Sequence, residues 1–271
     1  MKTIVVLVIV MALCSISFAA TLDQKQSAAL EGATHSPAVS VCSFTFTTGT
    51  LDTFLKFCVT ANGNITQFET PLGVEDVAVG DASEGYGICD FTSNTEYFDY
   101  ADAGASTNWG PSSVVKQTSK SIKIARTTTD GVWTLTQTIN QIGGNLPFAQ
   151  VVMALKNNTA IDRSLRLMRF VDVDADGDFN NELDATNKAA FGWNSFGLQH
   201  AYGLVLFNVG KSPFDHAGFV QNIAGGPAPC TPFAFASLTT LTNTDGSLVH
   251  LYNIDVPKGM TKTVTVGYKG M

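Results

Sequence analysis

The sequence has little charge, and it carries none of the common catalytic motifs. Only 14% of the 271 residues are charged, and 23 acidic residues outnumber 16 basic ones. Nucleic acids and anionic membranes reward clustered Lys and Arg, so this balance argues against both as partners. The chain contains no Gly-x-Ser-x-Gly elbow and no Gly-rich phosphate loop. These absences disfavour a serine hydrolase of that class and a nucleotide-binding enzyme.

The cysteines and histidines also lack the spacing that is typical of metal sites. No Cys-x-x-Cys pair occurs, and none of the four histidines has a partner at i+2 or i+4, which removes the ordinary zinc patterns. Apart from the N-terminus, no apolar run is long enough to span a bilayer, since a spanning helix needs about 20 apolar residues. The pattern therefore predicts no membrane anchor in the mature chain.

The N-terminus itself is typical of an export signal. Lys2 precedes the apolar run from Ile4 to Leu13, and the small residues of Ser17-Phe18-Ala19 predict cleavage after Ala19. The run is too short to be read as a membrane anchor. We therefore predict a secreted or extracellular protein, with a periplasmic location as the alternative.

Cysteine usage agrees with export. Removal of the signal leaves four cysteines, an even number that favours disulfides over free buried thiols in an oxidising compartment. A turn near Thr48-Gly49-Thr50 sets Cys42 opposite Cys58 across a hairpin, close enough to bridge. This leaves Cys89 to pair with Cys230.

Strand signals dominate the rest of the chain, and no segment shows a sustained helical period. Many short strands separated by Gly, Asn and Asp turns predict an all-β fold with little helix, a large double-layered antiparallel β-sandwich, with a closed barrel as the alternative. We predict a signal peptide at 1–19, a flexible arm at 20–37 and one sandwich domain at 38–271. Asp130-Gly131 predicts a type I′ hairpin turn that sets Arg126 opposite Leu135 and Ile122 opposite Ile139.

The densest group of candidate ligands follows the predicted strand that ends at Val173. Asp172-Val173-Asp174-Ala175-Asp176-Gly177-Asp178-Phe179-Asn180 places carboxylates on alternate residues, with a glycine where the loop must bend. Calcium takes six to eight oxygen ligands, and this spacing resembles the first half of a helix-loop-helix calcium loop. The predicted ligands are Asp172, Asp174, Asp176, Asp178, Asn180 and Asp184, with Glu182 or an oxygen from another loop as the alternative to Asp184. A structural Ca²⁺ ion is the hypothesis, and a solvated acidic turn is the alternative.

Two further groups are candidates for ligand contact or proton transfer. Asp215-His216, on a predicted loop after Pro213, joins an acid and an imidazole, the combination that general-base catalysis uses, although such a pair is common by chance. Trp109 and Trp193 are candidates for stacking on sugar rings, with buried packing as the alternative for each. Trp133 lies in the predicted hairpin and is expected in the core.

These features favour a secreted, calcium-stabilised β-sandwich that acts as a binding or structural module, with a glycan or another surface protein as its partner. A sandwich of this size resembles, in shape, the scaffold of many carbohydrate-active proteins. The first alternative is therefore a carbohydrate-active enzyme, an epimerase, lyase or hydrolase. The second is a self-assembling surface or matrix protein. Because no catalytic motif is present, the sequence favours a non-enzymatic role.

Overall fold

Antiparallel β-strands form nearly all of the regular structure in the computed structural model. It describes residues 42–77, 84–101, 106–194, 201–222, 226–232, 236–237 and 240–271. Within these ranges the strands are β1 (Phe44–Thr48), β2 (Leu55–Val59), β3 (Ile65–Glu69), β4 (Glu84–Asp90), β5 (Thr95–Tyr100), β6 (Ser106–Thr107), β7 (Ser113–Gln117), β8 (Ser121–Thr127), β9 (Trp133–Ile142), β10 (Phe148–Asn157), β11 (Arg163–Val173), β12 (Asn181–Ala185), β13 (Ala189–Asn194), β14 (Gly203–Asn208), β15 (Asp215–Gln221), β16 (Ala236–Ser237), β17 (Leu241–Thr244), β18 (Gly246–Val256) and β19 (Thr261–Gly270). Two short 3₁₀ turns, Leu51–Thr53 and Ala175–Gly177, complete the list.

The strands assemble into two large sheets and one small one. The nine-stranded sheet has the order β17-β12-β13-β14-β19-β10-β9-β8-β7, and the seven-stranded sheet has the order β16-β15-β18-β11-β4-β5-β6. Strands β1, β2 and β3 form the small sheet. Strands β11, β15 and β18 of the seven-stranded sheet contact β12, β13 and β14 of the nine-stranded sheet. The prediction of a large antiparallel β-sandwich is therefore confirmed.

The main core lies between the two large sheets because alternate strand residues point inward. Leu165 and Leu167 of β11, Val266 of β19 and Leu204 of β14 are fully or almost fully buried in one apolar cluster. A second, smaller cluster on the other face of the seven-stranded sheet includes Phe170. Buried faces on both sides explain why β11 is buried along most of its length.

The predicted hairpin is formed by β8 and β9 with the expected register. Ile122 pairs with Ile139 and Arg126 pairs with Leu135. The turn differs from the predicted type I′, which needs positive φ at both central residues. Only Gly131 has positive φ among the turn residues, and its N–H donates to the carbonyl of Thr128. The Asp130 carboxylate accepts the Val132 N–H at 3.0 Å, so its side chain stabilises a longer loop.

Both predicted cysteine pairs are joined in the structure. Cys42 bonds to Cys58, with their Cα atoms 5.4 Å apart. The predicted register was wrong, because Thr45 lies opposite Cys58 and Cys42 precedes β1. Cys89 of β4 bonds to Cys230, which lies 141 residues further along the chain. The second bridge therefore fixes the segment at 226–232 to the seven-stranded sheet.

A buried ion pair within the seven-stranded sheet has hydrogen bonds to the nine-stranded sheet. Arg169 of β11 and Glu84 of β4 have no exposed side-chain area, and the Arg169 Nε lies 2.6 Å from Glu84 Oε1. Arg169 also donates to Tyr268 Oη of β19 and to Gln137 Oε1 of β9. Burial alone lowers the pKa of Arg169, but Glu84 and Tyr268 outweigh it and keep the guanidinium charged. The network thus gives each buried charge an oppositely charged partner and connects the two large sheets.

Two expectations concern the N-terminus. The predicted signal peptide at 1–19 and the arm at 20–37 lie outside the described residues, as does the start of the predicted domain. The described residues belong to one compact unit, Ala33–Met271. None of their helices has the length and apolar character that crossing a bilayer requires.

Candidate functional site

The outer face of the nine-stranded sheet carries a row of aromatic side chains. On β13, Phe191 lies opposite Asp184 of β12, and Trp193 lies opposite Glu182. Directly opposite residues in an antiparallel pair share a face, so these four side chains project together. All four are half-buried, whereas the alternate residue Leu183 is fully buried in the core. The alternation of β12 and β13 thus sends rings and carboxylates outward together.

Glycine residues let the aromatic rings lie close to the sheet. Gly203 of β14 lies opposite Trp193, and a Cβ added at Gly203 would lie 2.7 Å from Trp193 Cβ. Gly267 of β19 lies opposite Phe207, and a Cβ there would lie 2.4 Å from Phe207 Cζ. The Phe207 ring is also 5.8 Å from that of Phe148 on β10. We call Phe148, Phe191, Trp193 and Phe207 the aromatic face.

One end of the aromatic face forms a hollow of about 500 Å³. Its walls are the side chains of Asp184, Thr186, Phe191, Trp193, Ala201 and Met271. One oxygen of Asp184 accepts the Ala185 N–H at 2.8 Å, which orients the carboxylate. Asp184 is half-buried, so its carboxylate can also accept hydrogen bonds from a ligand. The hollow therefore combines two ring faces with a hydrogen-bond acceptor.

A second hollow of about 530 Å³ shares one lining residue, Met271, with the first. Tyr202, Asn145 and Lys269 contribute polar groups to the second. Lys269 lies on β19 opposite Val205 of β14, which is the strand beside β13. The two hollows together provide room for more than one small ring. The sequence did not predict that these two hollows are neighbours, because Trp193 of the first and Lys269 of the second are far apart in the chain.

The two tryptophan candidates have different surroundings. Trp193 lines the first hollow, as a ligand contact requires. Trp109 is only 7% exposed, and its ring packs edge-on against Tyr86 at 5.7 Å and under the Arg126 guanidinium at 5.6 Å. Its predicted role in ligand contact is therefore not supported, because other side chains of the core already cover its faces. Trp133 is fully buried, as expected.

The acidic loop brings only part of its predicted ligand set together. Among the described residues, Asp172, Asp174 and Asp245 offer oxygens that all lie within 4.8 Å of one another. Asp176 and Asp178 lie outside this group because a 3₁₀ turn follows β11, and Asp176 is exposed with φ of 56°. Asn180 is exposed on the same loop, and Asp184 lines the hollow beside Trp193. A bound ion at these residues stays a prediction.

Asp245 was missed from the sequence because its neighbourhood depends on strand pairing. Val173 pairs with Gly246 at the start of β18, which sets Asp245 beside the end of β11. Burial, together with the nearby carboxylates of Asp245 and Asp178, raises the pKa of Asp174 to about 6. Burial also raises the pKa of Asp245. The only local signal was the turn Asn243-Thr244-Asp245-Gly246, which is polar but otherwise ordinary.

The Asp215–His216 pair lies at the start of strand β15, so its predicted placement on a loop is wrong. Consecutive strand residues point to opposite faces, and Asp215 is exposed while His216 Nδ1 lies 3.3 Å from His250 Nε2. The pKa of His216 is lowered, chiefly by burial. The Asp215 carboxylate opposes this lowering, and Lys188 adds to it. Burial and the neighbouring His216 lower the pKa of His250 to about 3. Both imidazoles are therefore neutral at pH 7.

Space near this pair is limited. The hollow that Asp215 and His216 line has a volume of about 160 Å³, below the ~300 Å³ that small-molecule sites usually have. Arg166 and Asn253 line it as well. The hollow beside Trp193 is three times larger and more open to a ring-shaped ligand, so it is the better site for one.

Known proteins share the architecture but little sequence. No protein-family model and no curated protein matches the chain. The solved "Putative aldose 1-epimerase" of Escherichia coli K12 is 12% identical, with a TM-score of 0.51, covering 84% of this chain and 99% of that one. A bacterial glucoamylase solved with acarbose is 14% identical, with a TM-score of 0.54; the match covers 88% of this chain and 34% of the glucoamylase.

These similarities define a class of fold. This chain has the same large double-layered sandwich as the epimerase-like protein over nearly the whole length of that protein. It spans about a third of the glucoamylase. At such low identity the likeness shows the fold alone.

Proposed function

We propose that the protein is carbohydrate-active and binds a saccharide against Phe191 and Trp193, with Asp184 accepting hydrogen bonds from sugar hydroxyls. The observation that carries this proposal is the hollow in which two half-buried rings and one carboxylate converge. A sugar ring has an apolar C–H face and a polar rim. Amphipathic aromatic rings suit the face, and a few placed polar groups suit the rim.

The fold supports the carbohydrate-active alternative over a purely structural module. Two of the solved proteins that share this fold are named a "Putative aldose 1-epimerase" and a bacterial glucoamylase, and both names refer to carbohydrate chemistry. The second hollow shares Met271 with the first and is also lined by Tyr202 and Lys269. We therefore infer a ligand of two or more sugar units. The two disulfides suit an oxidising compartment outside the cytosol, which agrees with the predicted export.

Replacing Trp193 by alanine should weaken saccharide binding at least about tenfold, equivalent to ~1.4 kcal/mol. The change removes one stacking surface from the hollow and leaves Phe191 and Asp184 in place. A glycan array identifies the saccharide that binds wild type most tightly, and isothermal titration calorimetry then compares the two proteins.

Phe179→Ala is the matched control, because Phe179 is 63% exposed and lies outside both hollows. This variant should bind as wild type does. Equal affinity of wild type and Trp193→Ala for the same saccharide would remove Trp193 from the site. Failure of wild type to bind any saccharide on the array would contradict the proposed function itself.

The second candidate function is aldose epimerisation at the same hollow, favoured by the match across 99% of the epimerase-like chain. Interconversion of anomers needs a base that takes the proton of the anomeric hydroxyl and an acid that protonates the ring oxygen. Asp184 is the carboxylate of the hollow and has the base role in this candidate. Lys269 and Tyr202, in the adjoining hollow, are the candidate acids.

Under this second candidate, Asp184→Asn should reduce the catalysed mutarotation of D-glucose or D-galactose by at least about a hundredfold, since general-base catalysis contributes ~10²–10⁴. Polarimetry of a freshly dissolved pure anomer measures the rate. His216→Asn is the comparison and should keep the wild-type rate. Loss of activity in His216→Asn with full activity in Asp184→Asn would place the chemistry at the Asp215–His216 pair.

A further inference from the structure

Three carboxylates meet where the ends of two central strands pair. Asp172 and Asp174 lie at the end of β11 and on the same face, since they are two residues apart. Asp245 precedes β18, whose first residue Gly246 pairs with Val173. One oxygen from each carboxylate lies within 4.8 Å of the other two. This spacing lets a single ion contact all three.

Burial distinguishes this group from an ordinary acidic turn. Asp172 is 3% exposed and Asp174 is 8% exposed, while Asp245 lies at the solvent side. Oδ1 of Asp174 is buried, and no described residue donates a hydrogen bond to it. A buried carboxylate oxygen without a donor costs free energy. A cation between the three residues would supply the missing partner.

The backbone around the group is held in place by Asn181. Asn181 is fully buried, and its amide donates to the carbonyls of Val173 and Asp178, both at 2.7 Å. Its side-chain oxygen accepts the Ala175 N–H at 3.2 Å. These bonds fix the loop that follows Asp174 without using the carboxylates. The loop that follows Asp174 is therefore held by Asn181 and not by the Asp174 carboxylate.

We propose that Asp172, Asp174 and Asp245 bind a Ca²⁺ ion that joins the end of β11 to the start of β18. The group contains oxygen ligands only, which favours a hard cation over zinc or copper. Three carboxylates supply three to six oxygens, and water enters from the exposed side at Asp245 to complete the six to eight that calcium takes. Mg²⁺ fits less well, since it requires a near-ideal octahedron at shorter distances.

The ion has a structural role at this position. Strands β11 and β18 are the two longest strands of the seven-stranded sheet and pair along eleven residues. Neutralising the three charges removes their repulsion at the end of this pair. An ion that binds only the folded chain stabilises it in proportion to the logarithm of its concentration over Kd.

The test is thermal unfolding of the full chain in Ca²⁺ and in chelator, with calcium affinity measured by isothermal titration calorimetry. Wild-type Tm should rise by roughly 5–10 °C at a Ca²⁺ concentration about 100 times Kd. Asp174→Asn and Asp245→Asn should each lower calcium affinity at least about tenfold and lose most of the Ca²⁺-dependent increase in Tm. In chelator their Tm should equal or exceed that of wild type, because one repelling charge is gone. A residue with only a packing role would not give this reversal.

Asp176→Asn is the matched control on the same loop, because Asp176 is exposed and lies outside the group. This variant should keep the wild-type affinity and the wild-type Tm rise. No calcium binding by wild type in calorimetry, together with equal Tm in Ca²⁺ and chelator, would overturn the proposal. Unchanged calcium affinity in both Asp174→Asn and Asp245→Asn would also overturn it. Neither result bears on the saccharide site, since none of these residues lines its hollows.

Discussion

Replacing Arg169 by methionine is expected to lower the free energy of unfolding by roughly 3–5 kcal/mol, because the change leaves the Glu84 carboxylate buried without its counter-charge. Both side chains are completely buried. Arg169 also donates hydrogen bonds to Gln137 Oε1 and to the carbonyl of Gly63, and these are lost in the variant as well. Urea unfolding of wild type and Arg169→Met, followed by circular dichroism, measures the difference.

A double variant separates the cost of an unpaired charge from the loss of a stabilising pair. Adding Glu84→Leu to Arg169→Met should restore much of the loss, since buried ion pairs are often replaced by apolar residues at little cost. Lys56→Met is the surface control: Lys56 pairs with Glu69 at 3.2 Å, but its side chain is 33% exposed. It should cost at most about 1 kcal/mol. Equal decreases in the free energy of unfolding in Lys56→Met and Arg169→Met would contradict the claim that burial makes the Arg169–Glu84 pair costly to break.

Removing the Cys89–Cys230 bridge should destabilise the fold more than removing the Cys42–Cys58 bridge. A disulfide restricts the unfolded chain in proportion to the logarithm of the loop that it closes. The two bridges span 141 and 16 residues. Loop entropy then gives roughly 5 kcal/mol for the long bridge and about 3 kcal/mol for the short one. Guanidinium unfolding of the two double Cys→Ser variants tests the ranking.

The short bridge serves as the internal comparison, since it closes a hairpin that β1 and β2 form by themselves. The long bridge attaches 226–232 to β4, and Tyr100 Oη donates to the Pro227 carbonyl in the same segment. The Cys89→Ser/Cys230→Ser variant should therefore also show faster proteolysis at 226–232. A larger loss from the Cys42→Ser/Cys58→Ser variant would show that local strain or residual structure outweighs loop length.

Local sequence signals were sufficient for the all-β class, for the β8–β9 hairpin and for the choice of cysteine partners, but not for every strand, since Asp215-His216 of β15 was predicted on a loop. The register of β8 and β9 follows from alternation on either side of Asp130-Gly131. The Cys42–Cys58 pair was predicted correctly, although the β1–β2 register places Thr45 rather than Cys42 opposite Cys58. A one-residue shift would move every apolar side chain to the wrong face, so the core itself selects the register. The turn type was not determined in this way, because a four-residue loop preserves the same register.

The candidate sites depend on contacts between distant segments, which single-sequence patterns do not contain. Asp245 joins Asp172 and Asp174 only through the pairing of β11 with β18. Trp109 and Trp193 have similar neighbours in the sequence, yet one packs inside against Tyr86 and the other lines a surface hollow. Sequence spacing therefore identified Asp184 as a carboxylate of interest but assigned it to the acidic loop rather than to the hollow beside Trp193.

The most direct test of the saccharide site is a crystal structure of the protein with the tightest-binding saccharide from the array. The expected electron density shows one sugar ring against the Trp193 indole and a hydroxyl within hydrogen-bond distance of Asp184. Density for the sugar at another surface, with both hollows free of it under saturating ligand, would contradict the assignment of this site.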